Sequence, residues 1–236
     1  MRHLFFDLDR TLWDFERNSE VALFSLFEDL DLASKVRTFQ SFHTQYKRIN
    51  ARLWDLYGRG EIEKSVLRVK RFDDTLRAFD VKDSHLAEAL ASGYVERSPY
   101  QTNLFPNTLE TLRLLKEEGY PMHIITNGFK EVQHIKLDNS GLREFFDVII
   151  ISEEVGANKP AMKVFHSAIE QAGATAEASV MIGDNYNADI IGAQNSGMQA
   201  IFFDPGFEHR DDSHPWLIRD LAKIPELLPY IPLTKD

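Results

Sequence analysis

From Leu109 onward, short apolar runs alternate with segments of helical spacing, and this alternation constrains the fold more than any other feature of the chain. Leu109 to Glu118 carries apolar residues at helical intervals and stops at Gly119. Met122-His123-Ile124-Ile125-Thr126 is a strand closed by the Asn127-Gly128 turn, and Phe129 to Asn139 is a helix ending near Gly141. The pattern then repeats. Val148 to Ile151 is a strand, and Ala161 to Gln171 is a helix stopped by Gly173. Ser179 to Ile182 is a strand, Asp189 to Asn195 is a helix closed by Gly197, and Gln199 to Phe203 is another strand. Such alternation predicts βαβ units, hence an α/β fold with a Rossmann-like parallel sheet covered by helices on both faces.

One strand stands apart from this series. Leu4-Phe5-Phe6 is a short apolar run that ends in acidic residues, and it reads as a buried strand of the same sheet. Between it and the series lies a stretch of different character. From about Asn18 to Glu96 apolar residues recur at helical spacing: Val21, Phe24, Leu26, Phe27 and Leu30, then Leu53, Leu56 and Tyr57, then Leu67, Val69, Phe72 and Leu76. Proline is absent there until Pro99, and glycine is confined to Gly58, Gly60 and Gly93. The expectation is an all-helical insert of about four helices, residues 16–99, set into an α/β core made of residues 1–15 and 100–236.

Composition narrows the chemistry. The 236 residues carry 27 basic and 37 acidic side chains, a formal net charge of -10, which argues against a surface for nucleic-acid polymers. A small phosphorylated substrate is compatible with that charge, because a metal ion and one or two cations neutralise it locally. With no cysteine, disulfides, thiolate zinc sites and cysteine nucleophiles are excluded. No apolar stretch is long enough to span a bilayer, and the run before Asp7 is too short for a signal peptide, so a cytoplasmic protein without a membrane partner is expected.

In open α/β sheets ligands bind beyond the carboxyl ends of the strands. Four such ends carry polar residues here. The first leads into Asp7-Leu8-Asp9, the second into Thr126-Asn127-Gly128, the third through Gly156-Ala157-Asn158-Lys159-Pro160, and the fourth into Gly183-Asp184 with Asp189 beyond it. This set suits phosphoryl transfer. Magnesium takes oxygen ligands and keeps several waters, so two carboxylates and a carbonyl suffice to hold it. One carboxylate can serve as nucleophile, a second as acid and base, and a lysine can offset phosphoryl charge.

The ordered set Asp7-x-Asp9-x-Thr11, Thr126, Lys159-Pro160 and Gly183-Asp184-x-x-x-x-Asp189 resembles the haloacid dehalogenase-like hydrolase superfamily. The resemblance implies that Asp7 is the nucleophile and Asp9 the general acid and base. It implies that Thr126, Asn127 and Lys159 hold the phosphoryl group. Magnesium would be bound by Asp7, Asp184 and the Asp9 carbonyl, with Asp189, Asn185 and Thr11 in support. The helical insert would be the family's cap domain. Ile125 to Phe129 and Ile151 to Gly156 resemble the pyrimidine 5′-nucleotidase branch, which implies a nucleoside 5′-monophosphate as the small phosphorylated partner.

Two departures stand out. Arg10 occupies a position where many relatives have glycine, and Asn185 one where many have a second acidic residue. Several alternatives stay open: a sugar-phosphate or phosphoglycolate-type phosphatase, a phosphomutase, a 2-haloacid dehalogenase, or a non-enzymatic phosphate-binding module. Asp9 argues against the last two. Among other residues, His123 is expected to pack in a strand, and His209 and His214 to be solvated. Trp54 and Tyr57 are expected in the core of the insert, and Trp13 and Phe15 either at a hinge or in the pocket wall.

Overall fold

The computed structural model describes residues 2–207 and 214–233. The chain divides into two compact units: the part up to Phe15 together with the part from Thr102 onward, and Glu16–Gln101 between them.

The first unit is built on a six-stranded sheet of order β3-β2-β1-β4-β5-β6, parallel throughout. The strands are β1 (His3–Phe6), β2 (Met122–Thr126), β3 (Val148–Ile151), β4 (Ser179–Gly183), β5 (Gln199–Phe203) and β6 (Leu217–Ile218). Strand β1 lies at the centre although it comes first in the chain. Side chains alternate across it. Leu4 and Phe6 join a core with Leu112, Leu115 and Leu137, while Phe5 joins another with Val164, Phe165 and Ala193. Both faces are therefore buried, which is why these strands read as continuous apolar runs.

The second unit holds four long helices: α1 (Phe15–Asp29, entering from the boundary), α2 (Phe39–Gly58), α3 (Lys64–Arg77) and α4 (Ser84–Arg97). Thr38 opens α2 by a reciprocal hydrogen-bond pair with Ser41, and the Asp83 carboxylate accepts from the Leu86 amide to open α4. Leu23, Phe27, Phe42, Phe72, Leu76 and Leu90 form its core. The apolar residues of the sequence are not all inside. Val21 and Phe24 are exposed, and Phe24 instead meets Phe39 edge-on. Trp54 and Tyr57 are also not in that buried core. They are half-buried and pack edge to face on each other near the end of α2.

The remaining helices belong to the first unit. They are α5 (Thr108–Glu117), α6 (Lys130–Asn139), the single turn α7 (Ser152–Val155), α8 (Met162–Gln171), α9 (Gly192–Asn195) and α10 (Ile224–Leu227). The helix expected from Asp189 begins earlier, as a wide turn over Tyr186–Ile191 that runs into α9. His123 packs as expected, buried against Phe5 and His3. His214 does not: it is buried, its Nδ1 accepts from the Trp216 amide, and its ring abuts Tyr186 and Phe202. A charged neighbourhood in the sequence disguised a residue that folds back onto β5. His209 lies outside the described residues.

Candidate active site

Strand register brings the acidic groups together. Phe6 is paired with Ile182 on one side and Ile124 on the other, so Asp7 emerges level with Gly183 and Ile125. The Asp7 amide still donates to Ile182 O at 2.9 Å, holding the chain in strand geometry one residue past β1. Beyond it the chain turns. Arg10 has a left-handed backbone, φ 67°, and its amide donates to Trp13 O. That conformation favours glycine, which accounts for the glycine expected there and marks Arg10 as strained. Its guanidinium lies 5.4 Å from the Phe15 ring centroid. Trp13 is fully buried in the core rather than lining an opening, whereas Phe15 is only partly buried.

Asp7, Asp184 and Asp189 each present a carboxylate oxygen, and these oxygens lie within 4.8 Å of one another. Lys159 is the buried cation among them. Its Nζ donates to Asp7 Oδ1 at 2.6 Å and to Ile125 O at 2.7 Å, and forms an ion pair with Asp189 Oδ1 at 2.7 Å. Burial alone would lower the Lys159 pKa, but the Asp189 and Asp7 carboxylates outweigh it and raise it. The Thr11 hydroxyl sits 3.4 Å from Asp7 Oδ2 and 3.5 Å from Asp184 Oδ1.

Three carboxylates around one ammonium leave an excess of negative charge. Burial pushes the Asp7 carboxyl up to about 7; Lys159 opposes this, and Asp189 and Asp9 add to it. Asp184 is also raised, by burial first and then by Asp7 and Asp189, against the pull of Arg10 and Lys159. A cluster of carboxylate oxygens, two of its residues buried and Asp184 partly so, with uncompensated charge fits a hard divalent cation such as magnesium.

The other expected residues fall into distinct places. Asp189 is almost fully buried, and its Oδ2 accepts from the Asn185 amide at 3.0 Å. The Asn185 side chain is spent on the Ala188 amide, so it opens the wide turn and stands outside the carboxylate cluster. The Asn127 side chain is likewise committed. Its Oδ1 accepts from the Lys159 amide and Ser152 Oγ, and its Nδ2 donates to Lys159 O. It fixes the loop that carries Lys159. Gly183 is required by close approach, because a Cβ there would lie 2.3 Å from Asp189 Oδ2.

Asp9 is held separately, by two residues the motif reading missed. Lys136 Nζ donates to its Oδ1 at 2.6 Å and Gln133 Nε2 to its Oδ2 at 2.9 Å. Gln133 Nε2 also donates to Thr126 Oγ1 at 2.7 Å, which accepts from the Gly128 amide as well. A signal for them was available. Helical spacing puts Gln133 and Lys136 on the face of α6 that also buries Leu137, and polar residues on a buried helix face need partners.

The sequence as a whole matches known proteins over the same span. The family model described as haloacid dehalogenase-like hydrolase matches residues 4–203. The chain is 32% identical over 230 residues to the pyrimidine 5′-nucleotidase YjjG of Escherichia coli, covering 95% of this chain and 96% of that one. It is 30% identical over 212 residues to the ribulose-1,5-bisphosphate 5-phosphatase of Halopiger xanaduensis, covering 86% and 84% of the two chains. In structure it is similar to the magnesium-bound HAD-hydrolase YfnB of Bacillus subtilis, with a TM-score of 0.86, 28% identity and coverage of 97% and 98%. With its parallel α/β sheet and a family match over most of its length, the chain belongs to the haloacid dehalogenase-like hydrolases.

Proposed function

We propose that the protein is a magnesium-dependent phosphomonoesterase that works through a phospho-aspartate, with a nucleoside 5′-monophosphate as preferred substrate. The observation that carries this is the pairing of two aspartates two residues apart with separate sets of donors. Asp7 faces Lys159 and the carboxylate cluster, while Asp9 faces Gln133 and Lys136.

Asp7 is the nucleophile. Its carboxylate oxygen attacks phosphorus, and the bond to the leaving oxygen breaks as Asp9 protonates that oxygen. Asp9, now a carboxylate, takes a proton from water, which attacks the acyl phosphate and returns Asp7. Lys159 and the Thr126 hydroxyl hold phosphoryl oxygens through both steps. Asp7, Asp184 and the Asp9 carbonyl would hold magnesium, with Asp189 and Thr11 in support. When bound, the ion offsets the charge of cluster and phosphate together.

The helical unit, residues 16–99 in this reading, is the cap that selects substrate, and the protein acts in the cytoplasm on a small metabolite. The nucleotide preference rests on the likeness to a pyrimidine 5′-nucleotidase over nearly the whole chain. The test is a panel of nucleoside monophosphates and sugar phosphates with magnesium and with chelator. Faster turnover of nucleotides, lost on chelation, is expected. Preference for sugar phosphates would move the substrate toward that of the ribulose bisphosphate relative. Activity that survives chelation would remove the metal from the account.

A further inference from the structure

We infer that Lys136 and Gln133 are positioning residues for proton transfer by Asp9, and that Gln133 also sets the orientation of the Thr126 hydroxyl. The inference rests on Asp9 being the acid and base of the reading above.

Asp9 is not sealed in. Its side chain is 24% exposed, so water could solvate it without help. Instead each of its two oxygens has its own buried donor, Lys136 on Oδ1 and Gln133 on Oδ2. One such contact would leave the carboxylate free to rotate about its terminal torsion, whereas two contacts on different oxygens fix its plane. The donors are themselves immobilised. Lys136 Nζ lies 4.3 Å from the ring centroid of Trp13, which is fully buried. Gln133 is 0% exposed, and its amide packs so closely on Gly128 that a Cβ there would lie 2.2 Å from Nε2.

Gln133 has a second task. Thr126 Oγ1 accepts from both the Gln133 amide and the Gly128 N–H. A hydroxyl offers two acceptor sites and one proton. With both acceptor sites taken, its proton remains for an outside acceptor, and a phosphoryl oxygen is the one the proposed reaction supplies. One side-chain amide thus ties the proton donor for the leaving group to a donor for the phosphoryl group. As Asp9 gives up its proton, the carboxylate left behind faces two donors already in place, so little rearrangement is required.

A purely structural ion pair would affect all substrates alike. A positioning pair would not, because the need for proton transfer depends on the leaving group. Alkyl leaving groups such as a nucleoside 5′-oxygen require it, and p-nitrophenolate scarcely does. The experiment measures kcat/KM, which reads the steps up to phosphoryl transfer, for a nucleoside 5′-monophosphate and for p-nitrophenyl phosphate. Wild type, Lys136→Met, Lys136→Arg and Gln133→Leu are compared with saturating magnesium. Lys136→Met is expected to lower the alkyl substrate's kcat/KM by about a hundredfold and that of p-nitrophenyl phosphate by less than about tenfold. Lys136→Arg should recover part of the difference. Gln133→Leu should show the same selectivity with an added loss common to both substrates through Thr126. If Lys136→Met does not fold, Gln133→Leu and Lys136→Arg carry the same ratio. Equal losses on both substrates, or no loss, would overturn the inference while leaving the phosphatase reading intact. A folded wild type inactive on both would overturn that reading, and this inference with it.

Discussion

Lys159 Nζ and Asp7 Oδ1 lie 2.6 Å apart in a setting that leaves the lysine side chain 2% exposed and the aspartate 9%. The same ammonium reaches Asp189, so two buried carboxylates depend on one cation. Lys159→Met is expected to cost about 3–5 kcal/mol at neutral pH, the scale for removing one partner of a buried ion pair. Urea denaturation in chelator checks this. Below about pH 5, where the raised Asp7 carboxyl is neutral, the cost should shrink; a cost independent of pH would mean that the pair is not what the lysine stabilises.

Proton linkage gives a second outcome. Asp7 has a pKa of about 7 in the folded chain against an ordinary 3.8, so folding binds a proton between those values. Stability from the protonated cluster is full below the lower value and is lost as pH rises through the upper one. In chelator the melting temperature should therefore fall between about pH 4 and pH 7 from this group. Magnesium binds the ionised cluster, so its stabilisation should be larger at the higher pH and reach about 2.7 kcal/mol at a hundredfold excess over Kd. An equal magnesium shift at both pH values would contradict the assignment of the cluster as the metal site.

Gly183→Ala tests how tightly the site is packed. The new methyl would collide with the Asp189 carboxylate, which is held by Lys159 and the Asn185 amide. Displacing that carboxylate disturbs Lys159 in turn. The expected result is a loss of turnover larger than the loss of stability, about 1–3 kcal/mol for an overpacked site. Unchanged kcat in a well-folded Gly183→Ala would show that Asp189 is free to move without consequence.

Arg10→Gly should be tolerated. The left-handed backbone costs a non-glycine residue about 1–2 kcal/mol, part of which glycine returns through its looser unfolded chain. A net gain of up to about 1 kcal/mol is expected, with modestly tighter magnesium binding, since Arg10 acts on Asp184 as a nearby positive charge. Calorimetry across a magnesium titration reads both. Destabilisation would mean that the Arg10 side chain holds the loop.

Five strands of the parallel sheet were legible as apolar runs, three of whose carboxyl ends lead into Asp7, Thr126 and Asp184, whereas the two-residue β6 offers no such run. The strand order was not legible, since nothing local in Leu4–Phe6 says that it lies between β2 and β4. The partners of Asp9 were hidden for a similar reason. Gln133 and Lys136 lie more than a hundred residues along the chain, and only the fold brings α6 to the first strand's end. Asn127 was read from its turn as an anion contact; the fold adds that its side chain holds the backbone of Lys159. His214 was misread because burial against β5 depends on long-range folding and not on its polar neighbours.

The most direct measurement of the central claim is peptide mass spectrometry of enzyme acid-quenched during turnover with substrate and magnesium, alongside the turnover of Asp7→Asn. One phosphoryl group should appear on the peptide containing Asp7. In Asp7→Asn it should be absent and turnover should fall by at least about a thousandfold, with the fold retained. Phosphate on a different residue, or substantial turnover by folded Asp7→Asn, would contradict a mechanism through phospho-Asp7.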